Sequence, residues 1–377
     1  MRLVNIHNCE AGLVLSKPIY DKNNRILLNT GKELSDSIID RLKRLGVNHI
    51  YVDSDVTENV EAHDNVPTSI RFKTTTHLAK TFKSLTDQHF NGKVKAVTHG
   101  KVIREFKLVY EKLVKEMSAN PKLLNLLSHL QTNSDYLFEH SINTSIYAIA
   151  IGRRLYLKEQ ELYWLGLGAV LHDIGKVKLE KELLQKQEPL NEEEKERFKK
   201  HTEIGYEILK AERELHLLVA HCAFQHHENI DGSGYPRQLK GKDIHIMGQI
   251  VAVADQFDSL MRARRGKPAL LPHEAMEVLV SRCYTRFDKK IIDAFRKAVA
   301  IYPIGLTVKL NTGESAVVIG YNESAPERPI LRVFTDKSGE KLEEFYEIDL
   351  LKRLNIMIVE CDAVLESSKL QKSVFSA

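Results

Sequence analysis

The chain has 377 residues, 43% of them hydrophobic and 28% charged, a composition of globular domains with room for two or three of them. Its formal net charge of +4 is slight and no long basic run accompanies it, which argues against a DNA-binding protein; no apolar stretch is long enough to span a bilayer. Cys9, Cys222, Cys283 and Cys361 are far apart with no CxxC, so they predict reduced packing thiols of a cytoplasmic protein without a signal peptide, not a disulfide frame or zinc knuckle.

Residues 1–53 read as a small α/β regulatory module. Leu13 to Tyr20 is a strand candidate, and a turn at Asp21 to Asn24 leads into a second short one, Arg25–Leu28. Ser35 is placed to cap a helix running to Leu45, with Ile38, Ile39, Leu42 and Leu45 on one face and Gly46 ending it. His49 to Val52 reads as a further strand. Residues 54–69 are polar and acidic and read as a linker. A helical connector follows over 70–130, where Ile103, Phe106, Leu108, Val109, Leu113 and Val114 form the apolar face of an amphipathic helix, suited to a core or a homodimer contact.

Residues 131–302 read as a run of helices, an all-α bundle with glycines in its loops. Asn133 or Ser134 caps a helix carrying His140 and the stripe Ile142, Ile146, Ile149. Leu162 to Leu171 is apolar enough to be a buried helix ending at His172. His201 opens another; Leu215 to Phe224 leads into His226 and His227; Ile244 to Met261 carries Asp255 and Asp258. After Pro303, Thr307–Leu310, Ser315–Tyr321, Ile330–Thr335, Phe345–Ile348 and Ile356–Val359 are β-branched or aromatic runs broken by turn residues. They predict a small antiparallel β domain over 303–362, with a frayed tail at 363–377. The fold class is therefore multidomain and mainly α.

Within the helical segment stand His140, the pair His172-Asp173, His201, the pair His226-His227 and Asp255, each expected near the end of a separate helix. Burying a His-Asp pair is costly unless something partners it, and a divalent metal does so: an aspartate can bridge two cations while its neighbour binds one. Five imidazoles and two carboxylates can hold two metals with coordination room to spare. Such mixed donors suit iron, manganese or zinc better than magnesium or calcium. Glu228 stands beside the tandem histidines and is expected to fix a ring tautomer. His216, His221, His245 and His273 are read as packing residues.

The order His140, His172-Asp173-Ile174-Gly175-Lys176, His201, His226-His227-Glu228, Asp231-Gly232-Ser233-Gly234-Tyr235-Pro236 and Asp255-Gln256-Phe257-Asp258 resembles an HD-GYP domain. That is the bacterial branch of the HD metal-dependent phosphohydrolases that degrades cyclic di-GMP. The resemblance implies one metal on His140, His172, Asp173 and Asp255, and a second on Asp173, His201, His226 and His227. It also implies that a hydroxide between them attacks phosphorus, and that Lys176 stabilises the developing charge. Gly232 and Gly234 are expected at positive φ, with Tyr235 forming a lip beside the substrate or contacting a diguanylate cyclase or adaptor domain. Arg264 and Lys267 match positions that hold substrate phosphate or guanine, and Asp258 shares the helical face of Asp255 as a supporting residue. Arg262 and Arg265 are expected to face solvent.

Two departures from the family pattern stand out. Some members carry a glutamate four residues before the first histidine, which recruits a third metal; here that residue is Tyr136, so two metals are expected. Where the family commonly has Arg-Pro-Tyr-Arg, this chain has Arg264-Arg265-Gly266-Lys267. The expected reaction is the opening of cyclic di-GMP to linear pGpG, with onward cleavage to GMP as an extension. Hydrolysis of another cyclic dinucleotide such as cyclic GMP-AMP, and a receptor that signals by binding cyclic di-GMP with little catalysis, remain alternatives.

Overall fold

The structure, a computed structural model, describes residues 1–21, 25–60, 70–80, 104, 107–108, 110–115, 124–125, 136–186, 188–262 and 269–361. Most of the linker, the connector residues 81–103, the cap candidates Asn133 and Ser134, the segment holding Arg264, Arg265 and Lys267, and the tail lie outside these residues. The chain divides into two compact units. One gathers Met1–Asp64, Leu123–Asp135 and Val299–Ala377; the other holds Asn65–Lys122 and Tyr136–Ala298.

In the first unit, β1 (Arg2–Asn5), β2 (Ile19–Tyr20), β3 (Ile26–Leu28), α1 (Asp36–Arg44) and β4 (His49–Val52) come from the N-terminal segment. Strand β1 pairs antiparallel with β4, from Arg2 opposite Val52 to Asn5 opposite His49. It escaped the sequence reading because four residues without a turn signal become a strand only when a distant partner supplies the ladder. The expected strand over Leu13–Tyr20 narrows to Ile19–Tyr20, while Val14 and Leu15 make isolated bridges to Glu33 and Val52. Helix α1 places Asp36 in its first turn and Arg41, Lys43 and Arg44 in its last, matching the helix dipole. Its Ile39 and Leu42 pack on Val4, Ile6, Leu15, Ile19 and Ile50 to make the core. Ser35 precedes the helix, but its hydroxyl pairs with that of Ser37 instead of capping.

The same unit contains β5 (Leu124–Asn125) and β6 (Val299–Ala300), which pair in parallel, and a five-stranded antiparallel sheet. That sheet comprises β7 (Thr307–Leu310), β8 (Ser315–Gly320), β9 (Ile330–Thr335), β10 (Lys341–Asp349) and β11 (Ile358–Cys361), in the order β10-β9-β8-β7-β11. In β9 the alternation is strict: Leu331, Val333 and Thr335 are buried and their neighbours are not, the period of a sheet with one face inward. The two ends of the chain, read above as separate modules, meet inside this unit. Leu3 N–H donates to Gly305 O at 2.8 Å, the Tyr51 hydroxyl to Ile304 O at 3.2 Å, and Arg332 to the carbonyls of Val56 and Glu58 at 3.2 and 3.0 Å.

The second unit is helical. Residues 70–80 (α2) and 110–115 (α3) are followed by α4 (Tyr136–Arg154), α5 (Glu159–Leu171), α6 (Lys181–Gln185), α7 (Glu192–Lys199) and α8 (His201–Lys210). Then come α9 (Leu217–Gln225), α10 (Ile246–Leu260), α11 (Pro272–Ser281) and α12 (Lys289–Arg296). Helix α5 is buried nearly all round from Leu165 to Leu171, as expected of a helix at the centre of a bundle, and packs between α4 and α9. Close approach depends on small residues: a Cβ on Gly168 would stand 2.4 Å from Cys222 Sγ. His216 and His245 serve as N-caps, their Nδ1 atoms accepting from Leu218 and Met247 N–H.

Candidate metal centre

The site is assembled at helix ends and turns of the second unit. His140 lies in the first turns of α4. His172 and Asp173 follow α5, His201 opens α8, and His226 and His227 follow α9. Asp255 departs from the expected placement: it sits inside α10, with five residues of helix after it. Its partner Asp258 lies nearly one turn on, so both carboxylates share a face.

All seven donors predicted from the sequence converge. His140, His172 and Asp255 form one group whose ligand atoms lie within 4.8 Å of one another, and His201, His226 and His227 form a second. Asp173 stands between them. Its Oδ2 is 3.4 Å from His172 Nε2 and 3.9 Å from His140 Nε2, while its Oδ1 is 3.5 Å from His201 Nε2 and 3.8 Å from His226 Nε2. His140 Nε2 also lies 2.9 Å from Asp255 Oδ1.

The rings are oriented from behind. His172 Nδ1 donates to Ala169 O at 2.6 Å, His201 Nδ1 to Phe198 O at 2.6 Å, and His226 Nδ1 to Ala223 O at 2.9 Å. A carbonyl only accepts, so each Nδ1 carries a proton and each ring turns its Nε2 toward the site. His140 Nδ1 is held instead by Asp258 Oδ2 at 2.8 Å, a carboxylate-histidine pairing that raises ligand basicity. Asp258 is fixed in turn by Asn143 at 2.9 Å and by Arg262 at 2.7 Å. Arg262, expected in solvent, is therefore part of this support, and it also lies 3.7 Å from Glu139. The Glu228 expectation fails too: its carboxylate accepts from the N–H groups of Arg237 and Leu239 at 2.8 and 3.0 Å and so pins the Gly-Tyr-Pro loop, while backbone carbonyls orient His226.

Two features show that this donor set fits a cation. His201 Nε2 and His226 Nε2 face each other at 3.3 Å. Burial lowers His201 to about 4 and His226 well below its ordinary range, so both rings are neutral and two lone pairs meet, which is repulsive unless a positive charge lies between. In addition, His172 Nε2 and Asp173 Oδ1 are buried with no hydrogen-bond partner, a costly arrangement in a protein interior. The carboxylates supply the field. Burial works against a charged Asp173, yet His172 and Lys176 hold it well below the usual carboxylate range. Burial likewise opposes charge on His172, but Asp173 and Asp255 push it up to about 10. The attraction that retains a proton there would draw a dication more strongly.

Lys176 is brought to Asp173 by the 3-10 turn Ile174–Lys178 and its ammonium bonds Asp173 Oδ2. The ring of Phe198 lies 5.3 Å from that nitrogen. Gly175 makes the turn fit, since a Cβ there would stand 2.0 Å from His201 O. In the Gly-Tyr-Pro loop only Gly232 has the expected positive φ, +86°. Gly234 is required by proximity instead: a Cβ would meet Asn229 N at 2.3 Å and Glu228 Cα at 2.5 Å. Tyr235 lies with its ring 4.8 Å from that of His227, and its peptide bond to Pro236 is cis.

Residues 121–291 match the family model described as HD domain, and residues 307–370 match one described as KOW domain associated with HD domain. The chain carries an HD domain. The similar cyclic di-GMP phosphodiesterase PA4108 of Pseudomonas aeruginosa is 33% identical over 226 residues, 59% of this chain and 54% of that protein. Cyclic di-GMP phosphodiesterase PdeB of Borreliella burgdorferi is 27% identical over 56% of this chain and 55% of its own. The 3'3'-cGAMP-specific phosphodiesterase 3 of Vibrio cholerae is 32% identical over 46% of this chain and 38% of its own. The chain thus spans about half the length of the first two curated relatives it matches.

A cavity of about 150 Å³ opens on the donors of the HD domain, bordered by His140, Lys176, His227 and Asp255. Sequence reasoning missed three further residues on its wall, Asn229, Gln256 and Arg286. Arg286 lies 31 residues after Asp255, between α11 and α12, outside every motif, and only packing reveals it. Arg264 and Lys267 lie outside the described residues. Among the described residues, no helix is long and apolar enough to cross a membrane.

Proposed function

We propose that this chain is a metal-dependent phosphodiesterase that opens cyclic di-GMP to linear pGpG. The carrying observation is the pair of inward-facing donor groups sharing Asp173, with Lys176 bonded to the same carboxylate. His140, His172, Asp173 and Asp255 would hold one divalent ion, and Asp173, His201, His226 and His227 a second. The nitrogen-rich donor set favours iron or manganese, with zinc next. Ions held there supply Lewis acidity toward a phosphoryl oxygen and lower the pKa of bound water.

The protein groups do the rest. Asp173 divides its two oxygens between the donor groups, and its charge is kept by His172 and Lys176. The Lys176 ammonium, bonded to Asp173 on the cavity wall, would stabilise negative charge growing on a phosphate oxygen. The relatives named as cyclic di-GMP phosphodiesterases support the substrate class. A cavity of about 150 Å³ is well below the roughly 300–1,000 Å³ that encloses a whole drug-sized ligand. It would admit phosphate groups, with the nucleosides left toward the opening. The free thiols of Cys9, Cys222 and Cys283 fit a reducing, cytoplasmic setting.

A second reading keeps the chemistry and changes the substrate to cyclic GMP-AMP, favoured by the relative named for that specificity. Anaerobic purification with metal counting, followed by product analysis on both dinucleotides, decides between them. Metal-loaded protein that binds cyclic di-GMP and leaves both dinucleotides uncleaved would reject the enzyme and leave a receptor.

A further inference from the structure

Arg286 stands on the wall of the same cavity as His140, Lys176 and Asp255, and nothing in the metal centre uses it. Its Nε donates to Asn229 Oδ1 and one Nη1 N–H to Gln256 Oε1, both at 3.1 Å. The first anchor follows the tandem histidines and the second follows Asp255, so the guanidinium is tied to both shores of the donor set. Both anchors are neutral amides, and the side chain forms no ion pair among the described residues. Two of its five N–H groups are spent, which leaves three as donors.

A half-buried guanidinium whose two hydrogen bonds both go to neutral amides is an expensive way to brace a loop, even with the Phe287 ring 5.5 Å away and the Asp255 and Asp231 charges favouring it, because a neutral side chain could do that without losing hydration. The cost is offset when an anion arrives. A cyclic dinucleotide carries two phosphodiesters, one negative charge each. The phosphate at the metal donors has the ions and Lys176 to balance it, and the other has no partner in that set. We infer that Arg286 is a substrate-positioning residue that grips this second phosphate of a cyclic dinucleotide. The inference rests on the phosphodiesterase reading above. Arginine suits the role because its planar fork matches phosphate oxygens while its remaining N–H groups stay pinned.

The test compares Arg286→Met and Arg286→Lys with the wild type, metal-loaded, on cyclic di-GMP. Losing a charge-assisted grip should raise KM and the calorimetric Kd about 10- to 100-fold in Arg286→Met. It should leave kcat within about threefold, since the bond is the same in ground and transition states. Arg286→Lys should recover part of the affinity, since it keeps the charge but lacks the fork. Bis(4-nitrophenyl) phosphate, with a single phosphate, should be cleaved equally by all three proteins. The inference is overturned if Arg286→Met leaves KM and Kd unchanged. It is equally overturned if Arg286→Lys is as damaging as Arg286→Met and both lower the melting temperature, which is the signature of a loop brace. Wild-type protein that neither binds nor cleaves cyclic di-GMP would instead defeat the underlying reading, and this role with it.

Discussion

Asp173 and Lys176 touch each other, yet they should fail in different ways. Asp173 reaches both donor groups, through Oδ1 on one side and Oδ2 on the other. On the proposed two-metal reading, Asp173→Asn removes the charge that would balance both dications. Bound metal per chain, counted after dialysis, should fall at least by half, with activity down about 1,000-fold or more. Lys176 reaches only Oδ2, so Lys176→Met should keep the metal count and lose about 100- to 1,000-fold in kcat, the range for removing one group that stabilises transition-state charge. A Lys176→Met protein that loses its metals would show the ammonium to be a brace for Asp173. The sequence motif contained both residues side by side but could not separate these roles, because separating them requires knowing which oxygen faces which neighbour.

At the level of elements, the turn after α5 and the strand β4 carry the sharpest consequences. Gly175 lies against the first residues of α8, where a Cβ would meet His201 O at 2.0 Å and Gly205 N at 2.6 Å. Both are backbone atoms, so no rotamer change relieves the clash. Gly175→Ala should push the turn away from α8, moving Lys176 and the His201 carbonyl together. A melting temperature lower by several degrees and weakened metal retention are the expected readouts. In β4, burial lowers His49 from 6.5 to about 4, and its Nε2 is enclosed without a partner. Between about pH 6.5 and 4 the unfolded chain takes up a proton that the folded strand refuses. This contribution is therefore complete above 6.5 and lost as pH falls to 4, by at most roughly 3 kcal/mol. Denaturant midpoints followed over that range should drop in the wild type and flatten in His49→Gln. Most of these elements were readable from periodicity and turn residues, β4 to the residue. Strand β1 was not, because its partner lies more than forty residues away.

For the whole molecule, the first unit is closed by contacts between the chain's two ends, not by either segment alone. Leu3, Tyr51, Val56 and Glu58 all lean on residues between Ile304 and Arg332. A chain stopped at residue 302 should leave its first sixty residues open to limited proteolysis. It should still bind metal, since every donor belongs to the other unit. Protection of that N-terminal segment in the shortened protein would show that it folds unaided. The amino-acid pattern was enough to foretell the helical bundle, the β-rich end and the seven side chains that converge. Those features are written in local periodicity and in a set of residue types whose burial calls for partners. Tertiary structure alone decided that Asp173 stands between two donor groups and that Asp258 and Arg262 support His140. It also decided that Glu228 clamps a loop, that Arg286 reaches the cavity and that the chain's ends share one core. Each of these depends on distances between residues remote in sequence, which packing sets and local pattern does not record.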